Sequence, residues 1–353
     1  MSPETSGTPQ GSSTARYRGA SIVTRHGEVE AEWRALDERA GLIDFSFLAE
    51  LVATGEERAD FLQGQLSQNV AALGEGSGAA ALALTAQGRP ETLMAIYARG
   101  DAFEIVVDAD CLDATRARLE QFLVADDVDF EDAEPAVSIG VAGPRAAEIL
   151  GLSVRADGWW RAESEIATIP VVLRGRADLR VPCVEVRVPT SAAGNEADRV
   201  RSELLDRGAV PVGSEALEIL RVESGAPRIG TGGDLDDSRV AVEGRLEWAI
   251  HFNKGCYVGQ EVVERAVSRG RLNRELCLLR TENLVTPGAV LADGGDRDTV
   301  TSVALSPRLG PICLAYLPLD RADAGSEVSL QSDGGAVRAT VLEWPRARVL
   351  AGR

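Results

Sequence analysis

The run Asn253-Lys254-Gly255-Cys256-Tyr257-Val258-Gly259-Gln260-Glu261 brings a lysine, a thiol, a phenol and three acceptor-bearing side chains together. Val262, Val263, Ala266 and Val267 follow at amphipathic helical spacing, so a glycine-bearing loop feeds a helix N-terminus. Such an end offers unpaired backbone N–H groups and a positive dipole, which favour an anion and can lower the pKa of a thiol placed there. Lys254 is the only lysine in a chain that otherwise writes all its basic residues as arginine, so the position calls for a compact ammonium. The plainer readings are a solvated loop lysine and, for Cys256, a small buried hydrophobe. From Lys254 to Arg274 the basic residues exceed the acidic ones by three. That basic island would attract a polyanionic small ligand, or else be a solvated face with pairs such as Glu261–Arg265.

Glu223, in ALEILRVESG, is the second chemical candidate. Steps of about 100° put it inside the apolar arc of Ala216, Leu217, Ile219 and Leu220, away from Glu215 and Glu218. A carboxylate there is at least partly buried. It needs either a structural arginine or the N–H donors of a ligand ring.

The elements that must position these groups form an α+β pattern. Helical periodicity covers Glu28 to Ala40, Glu57 to Leu66, Cys111 to Val124, Glu196 to Arg207 and Ser214 to Ser224. Strand-like runs fall at residues 81–85, 93–97, 103–107, 137–142 and 184–188, and GLIDFSFLAELVATG reads as a strand entry. No GxGxxG fingerprint or phosphate loop opens a helix. Beyond Leu272 short β-runs separated by Pro-Gly and Gly-Gly turns predict a small closed or nearly closed barrel. Residues 1–19, rich in Ser, Thr, Gly and Pro, read as a disordered tail. The division expected is therefore 1–19 tail, 20–271 body of two α+β subdomains, and 272–353 barrel.

A chain of 353 residues is long for one core and fits two or three. Its 55 acidic residues against 37 basic ones argue against nucleic acid or an anionic membrane as partner. No apolar stretch reaches the ~20 residues that span a bilayer, and the N-terminus lacks the layout of a secretory signal, so a cytoplasmic location is expected. Acidity with almost no lysine matches a halophilic cytoplasm, where a Debye length of about 3 Å at molar salt screens self-repulsion. Five cysteines without a CxxC pair, and two distant histidines, fit neither a disulfide framework nor a metal site.

The residues quoted, with GLIDFSFLAELVATGEERADFLQGQLSQNV, LTAQGRPETLMAIY, LRVESGAPRIG, FNKGCYVGQEVVER and SVALSPRLGPICLAYL, make the chain similar to a folate-binding superfamily. That superfamily contains the glycine-cleavage aminomethyltransferase, or T-protein, and its YgfZ relatives. Where T-proteins carry an acidic pair that includes the catalytic Asp, this chain has Thr92 and Leu93. The Cys-Tyr-x-Gly-Gln-Glu run is absent from T-proteins and present in YgfZ-type proteins, so the resemblance favours the YgfZ branch.

The resemblance implies a three-domain, ring-like T-protein/YgfZ fold with a C-terminal β-barrel and a central site for tetrahydrofolate or a one-carbon derivative. By motif match it assigns Lys254 and Cys256 to the chemistry, and Glu223, Tyr257, Gly259, Gln260 and Glu261 to folate contact, with Arg221 structural. The function implied is support of iron-sulfur protein assembly or repair through the loop thiol, with iron-sulfur client proteins as partners. A folate-dependent aminomethyltransferase or other one-carbon transferase is the alternative. A non-catalytic folate-dependent chaperone is the third reading. Ala241-Val242, where the family has Pro-Gln, departs from the pattern, as does the segment from Arg180 to Val188.

Overall fold

The computed structural model describes residues 13–152, 158–191, 194–230, 232–268 and 272–345. The chain opens with a hairpin, β1 (Thr14–Tyr17) and β2 (Ala20–Val23), whose turn places Arg18 and Gly19 at φ +47° and +93°. This corrects the expected tail: residues 1–12 lie outside the described residues, but from Thr14 the chain is a strand. Ile22 is buried in the core and Tyr17 packs on it, which anchors a segment whose composition alone reads as tail.

Helix α1 (Val29–Glu38) buries Trp33, Ala35 and Leu36 together with Glu32. Glu32 is tolerated because its carboxylate accepts the backbone N–H groups of His26, Gly27 and Gly213 at 2.6, 2.6 and 2.7 Å. Strands β3 (Gly41–Asp44) and β4 (Leu48–Thr54) lead to α2 (Arg58–Gln65), β5 (Gly78–Leu84), β6 (Pro90–Arg99), β7 (Ala102–Asp108), α3 (Leu112–Glu120) and β8 (Asp129–Asp132). A five-stranded antiparallel sheet of order β5-β6-β7-β4-β8 results, with Phe61 and Leu62 of α2 and Leu119 of α3 in the core on one face.

The second sheet uses β9 (Ala136–Ala142), then α4 (Ala146–Leu150), β10 (Trp160–Ile166), β11 (Ile169–Arg176), β12 (Cys183–Pro189), α5 (Glu196–Asp206) and β13 (Val210–Val212). Its order is β10-β11-β12-β9-β3-β13, with β13 alone running parallel to its neighbour. Buried ion pairs join the two sheets. Glu104 of β7 meets Arg174 and Arg161 at 2.7 and 3.1 Å, and Glu50 of β4 meets Arg174 and Arg187, each at 2.8 Å.

Helix α6 (Ser214–Glu223) packs against α1 and the barrel, and α7 (Gln260–Ser268) closes the body. The barrel strands are β14 (Arg274–Thr281), β15 (Val290–Leu291), β16 (Val300–Ser306), β17 (Gly310–Pro318), β18 (Glu327–Ser332) and β19 (Gly335–Val341). They run in the order β15-β18-β19-β14-β17-β16, and a bridge between Val290 and Thr299 joins the two ends. The α+β class and the barrel expected from the sequence are both present. No helix among the described residues is long and apolar enough to cross a membrane.

Candidate functional site

A central cavity lies among the hairpin turn, both sheets and the loop after α6. Its walls enclose about 930 Å³ of space, the mouth included. One part is apolar and aromatic: Phe45, Phe47, Leu48, Leu93, Met94, Ile229, Trp159 and Trp248. The indoles of Trp159 and Trp248 stack, centroids 6.3 Å apart and planes within 6°. The other part is charged, with Arg18 and Asp108 in an ion pair at 3.1 Å, Arg176 and Asp178 at 2.8 Å, and Arg221 and Arg228 beside them. An apolar slab edged by fixed charges suits a flat heteroaromatic ligand carrying polar groups.

Local sequence explains how these groups are held. Strand β7 ends at Asp108, two residues after the buried Val106 and so on its face of the sheet, which delivers a carboxylate to the cavity rim. The hairpin turn opposite is seated too closely to admit a side chain at Gly19, where a Cβ would lie 2.6 Å from the Asp110 amide nitrogen. Arg18 is thereby aimed at Asp108. Burial pushes the Tyr17 phenol up to about 12, and its hydroxyl donates to Glu218 at 3.3 Å. Glu218 is itself half-buried, which raises its pKa, but Arg221, reinforced by Arg18 and Arg228, outweighs that and holds it at about 2.

The signature loop sits elsewhere, and none of its residues lines the cavity. The Lys254 ammonium donates to the carbonyls of Gln63, Leu66 and Gln68, the last two at 2.6 and 2.9 Å. It thus caps the C-terminal end of α2, where free carbonyls need donors. Burial draws its pKa down to about 8. Gly259 has φ +85°, and a Cβ there would lie 2.5 Å from the Thr85 carbonyl oxygen, in the turn between β5 and β6. The Tyr257 ring is buried beside Lys254, with the ammonium 5.0 Å from its centroid. Gln260 bonds Glu264, and Glu261 pairs with Arg265 on the exposed face of α7. Cys256 is exposed, and it precedes by four residues the first residue of α7.

Glu223 is fully buried outside the cavity. It pairs with Arg180 at 2.7 Å and accepts the Ser306 hydroxyl at 2.5 Å, which ties α6 to the barrel. Of the two partners the sequence allows it, the structure supplies the arginine. Arg221 forks onto Glu218 and Asp234 at 2.6 and 2.8 Å while also facing the cavity. Thr92 is buried and bonded to Thr115 at 3.1 Å, whereas Leu93 reaches the cavity wall. The one cysteine among the cavity residues is Cys111, and burial, with Asp110 and Asp108, pushes its thiol up to about 12.

Sequence reasoning did not select Tyr17, Arg18, Asp108, Cys111, Trp159, Trp248, Arg176 or Arg228. The Arg18-Gly19 pair between two short β-type runs is a hairpin signal that could have raised the first two. The others are dispersed along the chain and carry no local motif.

Two family models match. One, the GCVT N-terminal domain, covers residues 12–254, and the other, the glycine cleavage T-protein C-terminal barrel domain, covers 274–346. An aminomethyltransferase of Rubrobacter xylanophilus is 29% identical over 344 residues, spanning 94% of this chain and 90% of that protein. An aminomethyltransferase of a Nostoc species is 27% identical over 352 residues, with 93% and 90% covered. The crystal structure of the glycine cleavage system aminomethyltransferase T from Bartonella henselae superposes with a TM-score of 0.82 at 20% identity, covering 95% of this chain and 94% of that one. The fold implied by the resemblance is therefore the fold present.

Proposed function

This chain belongs to the glycine-cleavage T-protein family, and we propose that it binds a reduced folate in the central cavity and acts on one-carbon units as a folate-dependent aminomethyltransferase-type protein. The observation that carries this reading is the cavity itself, an aromatic slab with Trp159 and Trp248 on one side and an arginine-aspartate rim on the other. The named relatives, aminomethyltransferases matched along nearly their whole length, support it. In this reading the body before residue 272 holds the ligand and the barrel buttresses it.

Reduced folate supplies amine nitrogens that take up or release a one-carbon unit. The chain's own part is to hold the ring and to manage a proton. Leu93, Phe47 and the two indoles exclude water from the ring, and Asp108, held by Arg18, is a carboxylate at the rim able to accept a proton from a substrate amine. Asp108 would thus stand in for the acidic pair replaced here by Thr92 and Leu93. Titration calorimetry with tetrahydrofolate and its 5-formyl derivative is the test. Saturable binding, weakened by Trp248→Ala, is expected, and Asp108→Asn should abolish transfer from a secondary amine while leaving folate affinity within about twofold. No binding by the intact chain would end the proposal.

A second reading, the YgfZ-type support of iron-sulfur client proteins, has one observation in its favour. Cys256 is exposed at the crest of a loop whose lysine, tyrosine and second glycine are fixed by packing. A Cys256→Ala strain with undiminished iron-sulfur enzyme activity would remove it.

A further inference from the structure

The charged rim is not equally committed. Arg18 is held by Asp108, Arg176 by Asp178, and Arg221 by Glu218, Asp234, Ser302 and the Ala226 carbonyl. Arg228 differs. Among the described residues no hydrogen bond or ion pair engages its guanidinium, and its only side-chain partner is the Tyr17 ring, 5.8 Å away. Its backbone, by contrast, is clamped. The Arg228 amide donates to Asp234 at 2.9 Å, and its carbonyl accepts the amides of Asp234 and Leu235 at 2.7 and 3.0 Å. A half-buried cavity residue is thus rigidly placed with a full set of unused donors.

We propose that Arg228 is the carboxylate-recognition residue of this cavity, an inference that rests on the cavity being the ligand site. A guanidinium offers a planar fork that matches a carboxylate with two parallel N–H···O bonds. Two sources would present that carboxylate here: the glutamate end of a folate, or an amino-acid-type amine that donates the one-carbon unit. Because among the described residues no carboxylate depends on Arg228 for a hydrogen bond, its substitution leaves none of them without a hydrogen-bond partner.

The test uses the full chain, wild type and Arg228→Gln, in calorimetric titrations with tetrahydrofolate, 6-methyltetrahydropterin, p-aminobenzoylglutamate and N-methylglycine. Loss of a charge-assisted fork is expected to weaken the relevant carboxylate ligand by roughly tenfold or more. If tetrahydrofolate and p-aminobenzoylglutamate weaken while 6-methyltetrahydropterin does not, the site takes the folate tail. If only N-methylglycine weakens, it takes the amine substrate. Arg228→Lys should keep part of the affinity. Unchanged affinities throughout would overturn the proposal. If the wild type binds neither pterin, the folate reading fails separately. Arg228 then stands on p-aminobenzoylglutamate and N-methylglycine alone, and wild-type binding to neither overturns it as well.

Discussion

Replacing Lys254 by Met should destabilise the chain even though Lys254 lies outside the cavity. The ammonium satisfies three carbonyls at the end of α2, Gln63, Leu66 and Gln68. Each charge-assisted bond is worth about 1.5–3 kcal/mol, and a cation at a helix C-terminus adds about 0.3–1 kcal/mol. Two effects reduce the sum. Lys254 is only half-buried, so water reaches part of what the ammonium releases, and its own desolvation, visible in a pKa drawn down to about 8, opposes the gain. The expected net loss is about 2–3 kcal/mol. Urea unfolding at constant high salt should show it as a lower midpoint with an unchanged slope. Lys254→Arg should fall between the two, because a planar fork cannot serve three converging carbonyls as a compact ammonium does. A loss below about 0.5 kcal/mol for Lys254→Met would refute the capping argument, since surface lysines alone give values that small.

Gly259→Ala should also destabilise, by about 2–3 kcal/mol, because a side chain at φ +85° is strained and its Cβ would press on the Thr85 carbonyl; a thermal midpoint within a degree of wild type would contradict this. Thiol titration of the native chain should find a single fast-reacting group, Cys256, since Cys183, Cys277 and Cys313 are buried and Cys111 is held protonated near 12. A Cys256→Ser variant that still reacts quickly would show that the buried set is accessible. Acid unfolding should feel Glu218. Its folded pKa of about 2 lies below the ordinary carboxylate value of 4.5, so its contribution is full above that value and is lost as pH falls towards 2. The stability difference between wild type and Glu218→Gln should shrink by up to about 3 kcal/mol across that window, and a constant difference would contradict the assignment.

Much of the scaffold was legible because its elements carry their own periods. The helices at α1, α5 and α6 and the strands at β5, β7, β9 and β12 fall where apolar spacing puts them, within a few residues at the ends. The hairpin was not, since Thr14–Tyr17 is held by packing of Tyr17 and Ile22 against residues far along the chain, while its own composition is that of a tail. Strand β10 is illegible for another reason: three of its seven residues are exposed, and its alternation is written in polar residues. The site was the least legible part. Arg18, Asp108, Trp159, Arg228 and Trp248 come from five separate segments, and only the fold brings them around one space.

The lone lysine shows what a motif does and does not say. Its type was a sound clue, because a chain that otherwise uses only arginine keeps one ammonium where three carbonyls converge. What the clue concealed was the partner, since those carbonyls belong to a helix end nearly two hundred residues earlier. Tyr257 and Gly259 add two more attachments of the same loop to the first sheet, through the buried ring and the turn between β5 and β6. Residue types that suggest an activated thiol are therefore also those that fasten the loop. The ammonium cannot serve three carbonyls and Cys256 equally, so packing alone explains Lys254, Tyr257 and Gly259. It leaves the exposed cysteine as the chemically reactive member of the run for which stability provides no reason. A phenotype for Cys256→Ser without a change in stability would locate the loop's function in that sulfur. A silent Cys256→Ser beside a destabilising Lys254→Met would assign the whole run to the joint between α2 and α7.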